Sequence, residues 1–172
     1  MKKMKMKNKD PQPFLNDPEL TFNRYYNLSL RFLSYRPRSE QEVYKYLLEK
    51  AKKAKNLDEK IIASIMGRLV EYKFVDDFSF AKFWIEHRKK GFRILQFELQ
   101  QKGVSKEILE KALAEFDLES KETDLINHLI ERKTKSLQKY PEGKAREKMI
   151  AFLLRKGFDY NDVKKALEEA KK

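Results

Sequence analysis

Residues 95–104, LQFELQQKGV, recur in altered form 54 positions later at 149–158, MIAFLLRKGF. The shift superposes apolar residues spaced three or four apart, and it superposes the Lys-Gly pair near the end of each stretch. Such spacing forms one face of an amphipathic helix, and a glycine after a basic last turn is a common helix end. The two stretches are therefore predicted to be equivalent helices of a duplicated unit.

The first third of the chain fits the same pattern after a short insertion, because Val43 and Leu47 take the places of Leu95 and Leu99. No convincing period-two strand pattern interrupts the apolar periodicity along the chain. The periodicity predicts helical segments at 19–35, 40–53, 59–72, 77–90, 93–102, 106–116, 121–139, 144–156 and 160–171.

These segments sort into three units of three, which predicts an all-α fold of three tandem three-helix repeats. Repeats stacked in series would form an elongated array that can curve. The predicted divisions are a basic, flexible N-terminal arm at 1–18, repeat 1 at 19–75, repeat 2 at 76–119 and repeat 3 at 120–172.

Polar residues and glycines punctuate these segments. The run from Ser39 to Glu42 has the form of a capping box, in which the serine caps a helix and the glutamate reaches back. Single N-caps are predicted at Asp58, Asp76, Ser105 and Asp159. Helix C-terminal ends are predicted at Gly91, Gly103 and Gly157, and a close-packing position at Gly67.

Composition limits the classes of function. Cysteine is absent, which excludes disulfides, thiolate nucleophiles and iron–sulfur ligand sets. No apolar run reaches the length of a membrane span and the N-terminus lacks a signal-peptide core, so a cytoplasmic protein is expected. The net charge is +12, of which residues 1–10 carry +4. A surplus of this size favours a polyanionic partner, with solubility as the simpler explanation.

The sequence offers no catalytic or metal-binding constellation. His87 and His128 lack a partner at the spacing of a helical metal pair. Asp76 and Asp77 are adjacent and would point in different directions at a helix start, where capping explains Asp76 better. We therefore expect no enzyme activity, no cofactor and no metal.

Two stretches resemble the RecX family. The run LSYRPRSEQEV at 33–43 is similar to the opening motif of that family, with its Arg-x-Arg-Ser followed by acidic and aliphatic residues. The second repeat resembles the family's central stretch, which is matched by Asp76-Asp77, Phe80-Ala81, Trp84, Arg88, Gly91, Glu98-Leu99 and Lys102-Gly103-Val104.

The resemblance implies a regulator with no catalytic residues. Its expected partner is the RecA recombinase filament, and it would contact single-stranded DNA directly or through that filament. It would limit filament growth, ATP hydrolysis, strand exchange and co-protease activity, and a monomer without membrane association is expected. Two alternatives stay open: a general basic helical DNA-binding protein with no recombinase partner, and a helical adaptor for an unrelated protein.

Cations are unevenly distributed, and this predicts a contact surface. Residues 132–156 carry a net charge of +7, whereas 105–119 carry −3. The cations gather where the first and second helices of each repeat meet, and would align as a stripe if the repeats stack alike. Attraction to helix C-termini is the alternative explanation. The predicted stripe contains Arg31, Arg36, Arg38, Arg88, Lys89, Lys90, Arg93, Arg132, Lys133, Lys135, Lys144, Arg146 and Lys148.

Aromatic residues in the first two repeats could in principle stack on bases. Phe80 and Trp84 lie four apart beside Ala81 and Ile85, which is the spacing of a buried helix face. We therefore predict that these two rings belong to the core. Tyr44 and Tyr46 fall partly off the apolar face of their helix and are weaker candidates for stacking.

Overall fold

The structure is a computed structural model that describes residues 17–53 and 57–170. Within these ranges the chain forms nine α-helices and no strand, which confirms the all-helical fold. The helices are α1 Pro18–Ser34, α2 Glu40–Lys53, α3 Glu59–Glu71, α4 Asp77–His87, α5 Phe92–Gln101, α6 Lys106–Ala114, α7 Leu118–Leu137, α8 Glu142–Arg155 and α9 Tyr160–Glu169. None of these helices combines the length and apolar character needed to cross a membrane.

The predicted flexible arm, 1–18, lies outside the described residues except for Asp17 and Pro18. Every predicted helix is present. The three repeat boundaries themselves stay predictions.

The predicted N-caps are confirmed. Ser39 Oγ accepts from the Glu42 N–H at 3.2 Å, and Glu42 Oε2 accepts from the Ser39 N–H at 3.4 Å, so the capping box closes in both directions. The side chains of Asp58, Asp76, Ser105 and Asp159 each accept from a backbone N–H in the first turn of their helix. Asp17 and Asp117 cap α1 and α7 in the same way, and neither was predicted.

Gly103 and Gly157 end α5 and α8 as predicted. Both have the positive φ that glycine adopts freely, +85° and +92°. In each case the residue after the glycine donates back to the carbonyl five residues earlier, as in Val104 N–H to Leu99 O at 3.1 Å. This is the Schellman arrangement, which satisfies carbonyls that the helix end would otherwise leave unpaired.

Two glycine predictions were wrong. Gly91 does not end α4, which stops at His87; it is instead the N-cap residue of α5. Gly67 is not a close-packing position, because a Cβ added there would meet no atom within 4 Å. It lies exposed within α3.

The described residues form two compact units. The first contains 17–36, 43–53 and 57–74, where α1 packs against α3. Its apolar core is formed by Tyr25, Val43, Leu47, Leu57, Ile62, Ile65 and Leu69.

The second unit contains 37–42 and 75–170, and it has two apolar clusters. One cluster is built from α4, α5 and α6 around the fully buried Phe80, Ile85 and Leu99. Phe80 and Trp84 are 1% and 6% exposed, which confirms that both rings belong to the core. The other cluster is built from α7, α8 and α9 around Ile126 and Leu153.

A joint of hydrogen bonds ties the start of α2 to the helices of the second repeat. Ser39 Oγ donates to the Lys102 carbonyl at 2.6 Å, and the Glu40 N–H donates to Asp77 Oδ1 at 2.8 Å. Lys102 Nζ also pairs with Glu42 Oε1 at 2.8 Å. The carboxylate of Asp77 thus satisfies an N-terminal amide of a helix that precedes it in the chain.

The same joint recurs between α5 and the third repeat. The Gly91 N–H donates to the Lys156 carbonyl at 2.9 Å, and the Phe92 N–H donates to Glu122 Oε1 at 2.6 Å. A Cβ at Gly91 would lie 2.4 Å from the Gly157 carbonyl oxygen, so only glycine fits this approach. Since Lys156 is the residue that superposes on Lys102, the duplication extends to the way repeats are joined.

Candidate nucleic-acid interface

A groove between α7 and α8 gathers positive charge and aromatic rings in the third repeat. Its volume is about 550 Å³. Four cations and one acid line it together with two rings: Lys133, Lys139, Lys148, Arg155, Glu147, Tyr140 and Phe152. We refer to this surface as the α7–α8 groove.

The cations of the α7–α8 groove lie close to its rings. Lys148 Nζ is 4.7 Å from the centre of the Tyr140 ring, and Lys139 Nζ is 5.4 Å from it. Lys133 Nζ is 5.4 Å from the centre of the Phe152 ring. These distances are within the range of cation–π attraction. Cations and aromatic rings are therefore adjacent in this groove.

Attraction to helix ends does not account for the whole cluster. Lys148 lies in the middle of α8 and Lys133 lies before the last turn of α7. Only Arg155 is in the last turn of its helix, where the macrodipole favours a cation. Attraction to a helix end therefore does not explain the presence of Lys133 and Lys148.

Two of the predicted cations of the second repeat, Arg88 and Lys90, lie near Trp84. The Arg88 guanidinium lies over the Trp84 ring at 4.0 Å, and the indole Nε1 donates to Glu98 Oε2 at 2.9 Å. Lys90 forms an ion pair with Glu98. Lys90 is therefore already neutralised, whereas Arg88 and Lys89 lie exposed.

Burial opposes ionisation of Glu98, but hydrogen bonds from Lys90 and Trp84 outweigh it. The pKa of Glu98 is consequently held below its usual value. The carboxylate stays charged and holds Trp84 and Lys90 in place beside Arg88.

The corner of the second repeat extends to α7. Lys89 Nζ lies 3.2 Å from His128 Nε2. His128 precedes Arg132 by one turn of α7, so the structure places Lys89 beside the helix that carries the third repeat's cations. Arg93 faces elsewhere, onto a mostly apolar groove that is also lined by Phe97, Leu154 and Tyr160.

The remaining predicted residues are dispersed. Arg132, Lys135 and Lys144 are exposed and line none of these grooves. Arg146 lines a separate apolar groove beside Met149.

In the first repeat, Arg31 is exposed in the last turn of α1. Arg36 and Arg38 are partly buried, and each interacts with other groups of the chain. A single stripe through all three repeats stays a prediction.

Two rings and two cations of the α7–α8 groove were absent from the predicted site: Tyr140, Phe152, Lys139 and Arg155. A local signal exists for them. Tyr140 directly follows Lys139, and Phe152 lies one turn before Lys156 in the same basic segment.

Neither histidine belongs to a metal-binding group. His87 Nδ1 lies 2.9 Å from the Phe83 carbonyl, and the ring of His87 stacks on that of Phe83. Within 17–53 and 57–170, no cluster of three or more acidic or histidine side chains could hold a metal ion.

Family models match the chain in three places. Residues 26–52 match the first three-helix domain of RecX, 76–113 the second and 120–167 the third.

Two relatives are each named regulatory protein RecX. The one from Clostridium tetani is 36% identical over 145 residues, covering 82% of this chain and 64% of the relative. The one from Oceanobacillus iheyensis is 34% identical over 153 residues, covering 87% of this chain and 54% of the relative. The chain thus spans between half and two thirds of the length of these relatives.

The fold is similar to a crystal structure of RecX from Lactobacillus salivarius. The TM-score is 0.69 at 22% identity, covering 88% of this chain and 97% of that one. With three domain models matched in order and relatives above 30% identity over most of its length, the chain belongs to the RecX family of regulatory proteins.

Proposed function

We propose that this chain regulates a RecA-type recombinase by binding the filament which that recombinase forms on single-stranded DNA. Binding would restrain filament growth, and with it ATP hydrolysis, strand exchange and co-protease activity. The observation that carries the proposal is membership of the RecX family, since the resemblance implies this target.

The charge distribution supports a filament as the target. A recombinase on single-stranded DNA presents phosphates as well as protein. The exposed Lys89 lies beside α7, and the α7–α8 groove lies on the same helix. A binding surface shared by two repeats suits a target longer than a single peptide or nucleotide.

In this proposal the chain acts by binding, without a cofactor. It works as a monomer in the cytoplasm, where the filament forms. The cations position it, and its inhibitory effect comes from occupying the filament.

The alternative is a general DNA-binding protein. The aromatic rings of the α7–α8 groove favour this alternative as far as single strands are concerned, because bases stack on such rings without sequence preference. The two functions differ in which target is bound more tightly.

That difference can be measured directly. The cognate recombinase is assembled with a slowly hydrolysed ATP analogue on an immobilised oligothymidylate, and binding of this chain is compared with binding to the naked strand. At equal salt concentration we expect tighter binding to the filament. Equal or tighter binding to the naked strand would favour the general DNA-binding function.

A further inference from the structure

The three second helices of the repeats, α2, α5 and α8, present different chemistry at equivalent positions. Glu42 of α2 and Ile94 of α5 occupy the same place, and Lys148 of α8 follows by the 54-residue shift. Phe97 of α5 corresponds likewise to Ala151 of α8.

In α2 and α5 this position packs against the following repeat. Glu42 pairs with Lys102 Nζ at 2.8 Å. Ile94 lies so close to Gly157 that a Cβ on that glycine would be 2.6 Å from the isoleucine Cγ1. Both contacts are made with the Lys-Gly end of the next repeat's second helix.

In α8 the equivalent face has a different character. Lys148 and Ala151 line the α7–α8 groove, and among the described residues no helix of another repeat lines that groove. An alanine takes the place of the phenylalanine, and a cation takes the place of the residue that packs against the next repeat. The face is thus open and basic.

We propose that this face of α8 is a binding site for single-stranded nucleic acid, with the phosphates held by Lys133, Lys139, Lys148 and Arg155. The inference rests on the proposed function for its setting, a filament on single-stranded DNA, and names the part of the chain that meets the strand itself.

The rings identify a nucleic acid as the ligand rather than an acidic protein. Phe152 is partly buried with Lys133 near its ring, and both Lys139 and Lys148 lie within 5.4 Å of the centre of the Tyr140 ring. An acidic peptide would need only the cations. A strand offers bases to stack on the rings while its phosphates reach the cations. The groove's volume of about 550 Å³ lies within the 300–1,000 Å³ typical of pockets for small ligands.

The test is fluorescence anisotropy with a labelled 20-nucleotide oligothymidylate and the full chain, in the absence of recombinase. Three variants are compared: Phe152→Leu, which keeps apolar bulk but removes the ring, the pair Lys133→Gln and Lys148→Gln, and a control pair. The control is Lys111→Gln with Lys164→Gln, which makes the same charge change at exposed positions on α6 and α9. Thermal unfolding verifies that each variant is folded.

We expect Phe152→Leu to weaken binding about tenfold, as for loss of one stacked base. The Lys133 and Lys148 pair should reduce the slope of log K against log salt by about 1.4, at about 0.7 for each phosphate contact on a single strand. The control pair should retain most of the slope.

An oligoglutamate of 20 residues serves as a polyanion without bases, and it should bind at least tenfold more weakly than the oligonucleotide. Equal binding of the two, or wild-type binding by both groove variants, would overturn the inference and point to an acidic protein surface. The oligonucleotide assay contains no recombinase, so its result is independent of the filament assay. If the chain binds the oligonucleotide weakly but binds the filament normally, the groove proposal is wrong and the proposed function stands. If the chain binds the oligonucleotide normally but does not prefer the filament to the naked strand, the proposed function is wrong and the groove proposal stands.

Discussion

Glu122 joins the third repeat to the second by accepting a hydrogen bond from the Phe92 N–H. Burial raises its pKa above the ordinary value of 4.5, outweighing the hydrogen bond from the Phe92 N–H, and the nearby Asp162 and Asp159 add to the rise. A carboxyl with a raised pKa binds its proton more tightly in the folded chain. The stability that this carboxyl contributes is therefore fully present at a pH below its ordinary pKa. It is lost as the pH rises through its raised pKa in the folded chain.

We predict that Glu122→Gln unfolds at the same temperature as the wild type or higher at about pH 7. The amide oxygen can still accept from Phe92, while the cost of a partly buried charge disappears. The difference in melting temperature between the variant and the wild type should become smaller as the pH falls towards 4.5. Circular dichroism melting curves across this range would measure it, with the exposed Glu131→Gln on the same helix as control. A variant that melts well below the wild type at neutral pH would contradict this account.

Gly91 is the second residue on which this joint depends. Its φ of −63° suits any residue, so only crowding excludes a side chain. A Cβ there would meet backbone atoms of Gly157 at 2.4 Å, and backbone cannot move aside as a flexible side chain can.

We predict that Gly91→Ala destabilises the second unit by about 1–3 kcal/mol, the usual cost of overpacking. Gly67→Ala is the matched control, because it adds the same methyl group in open space within α3 and should stabilise by about 0.5–1 kcal/mol. Urea unfolding would show both changes. If Gly91→Ala has the same midpoint of urea unfolding as the wild type, the two repeats do not approach each other as closely at Gly91 as described.

At the scale of elements, the start of α2 does two tasks through one hydroxyl. Ser39 Oγ caps α2 by accepting from the Glu42 N–H, and it also donates to the Lys102 carbonyl. Asp58 caps α3 by accepting from the Ile61 N–H. Comparing the two residues therefore separates the free energy contributed by capping from the free energy contributed by the hydrogen bond to Lys102.

We predict that Ser39→Ala costs about 2 kcal/mol, of which about 1 comes from the cap and the rest from a carbonyl left without its donor. Asp58→Ala should cost about 1 kcal/mol. Native-state hydrogen exchange would localise the first loss to the start of α2 and its partners in the second repeat. If Ser39→Ala lowers the free energy of unfolding no more than Asp58→Ala does, the hydrogen bond to Lys102 does not contribute to stability.

Helix positions and most helix starts could be predicted because their signals are local. An N-cap needs only a short polar side chain within three residues of the amide it accepts from, as at Asp58 and Ser105. Gly91 was misassigned because its role depends on Gly157, which lies 66 residues away in the chain. Lys73 ends α3 with a φ of 55°, a conformation that no local feature of a lysine announces.

The site was harder to predict for the same reason. The distribution of charge alone predicts Lys133 and Lys148 as contact residues, and the structure brings them together in the α7–α8 groove. The same charge pattern predicts Arg146. However, Arg146 lies two positions before Lys148 on α8, so the two side chains are on different faces of the helix and Arg146 lines a different groove. Tyr140 and Phe152 become neighbours of those lysines only when α7 packs on α8, which composition does not specify.

At the scale of the whole molecule, the proposed binding to a filament depends on positive charge in the third repeat. We predict that reversing Arg132, Lys133, Arg146 and Lys148 together weakens binding to a recombinase filament and flattens its dependence on salt, because fewer counterions are released. Reversal of Lys106, Lys111, Lys164 and Lys165 on α6 and α9 gives the same change in net charge at other positions. Unchanged binding of the first variant at every salt concentration would reject the third repeat as a contact surface.

Regulation of the filament can be tested by the single-stranded-DNA-dependent ATPase activity of the cognate recombinase, measured while this chain is titrated in. Regulation of the filament predicts inhibition at amounts well below one chain per recombinase subunit, with DNA in excess. Inhibition that begins only when free DNA is exhausted, or no inhibition at all, would contradict it.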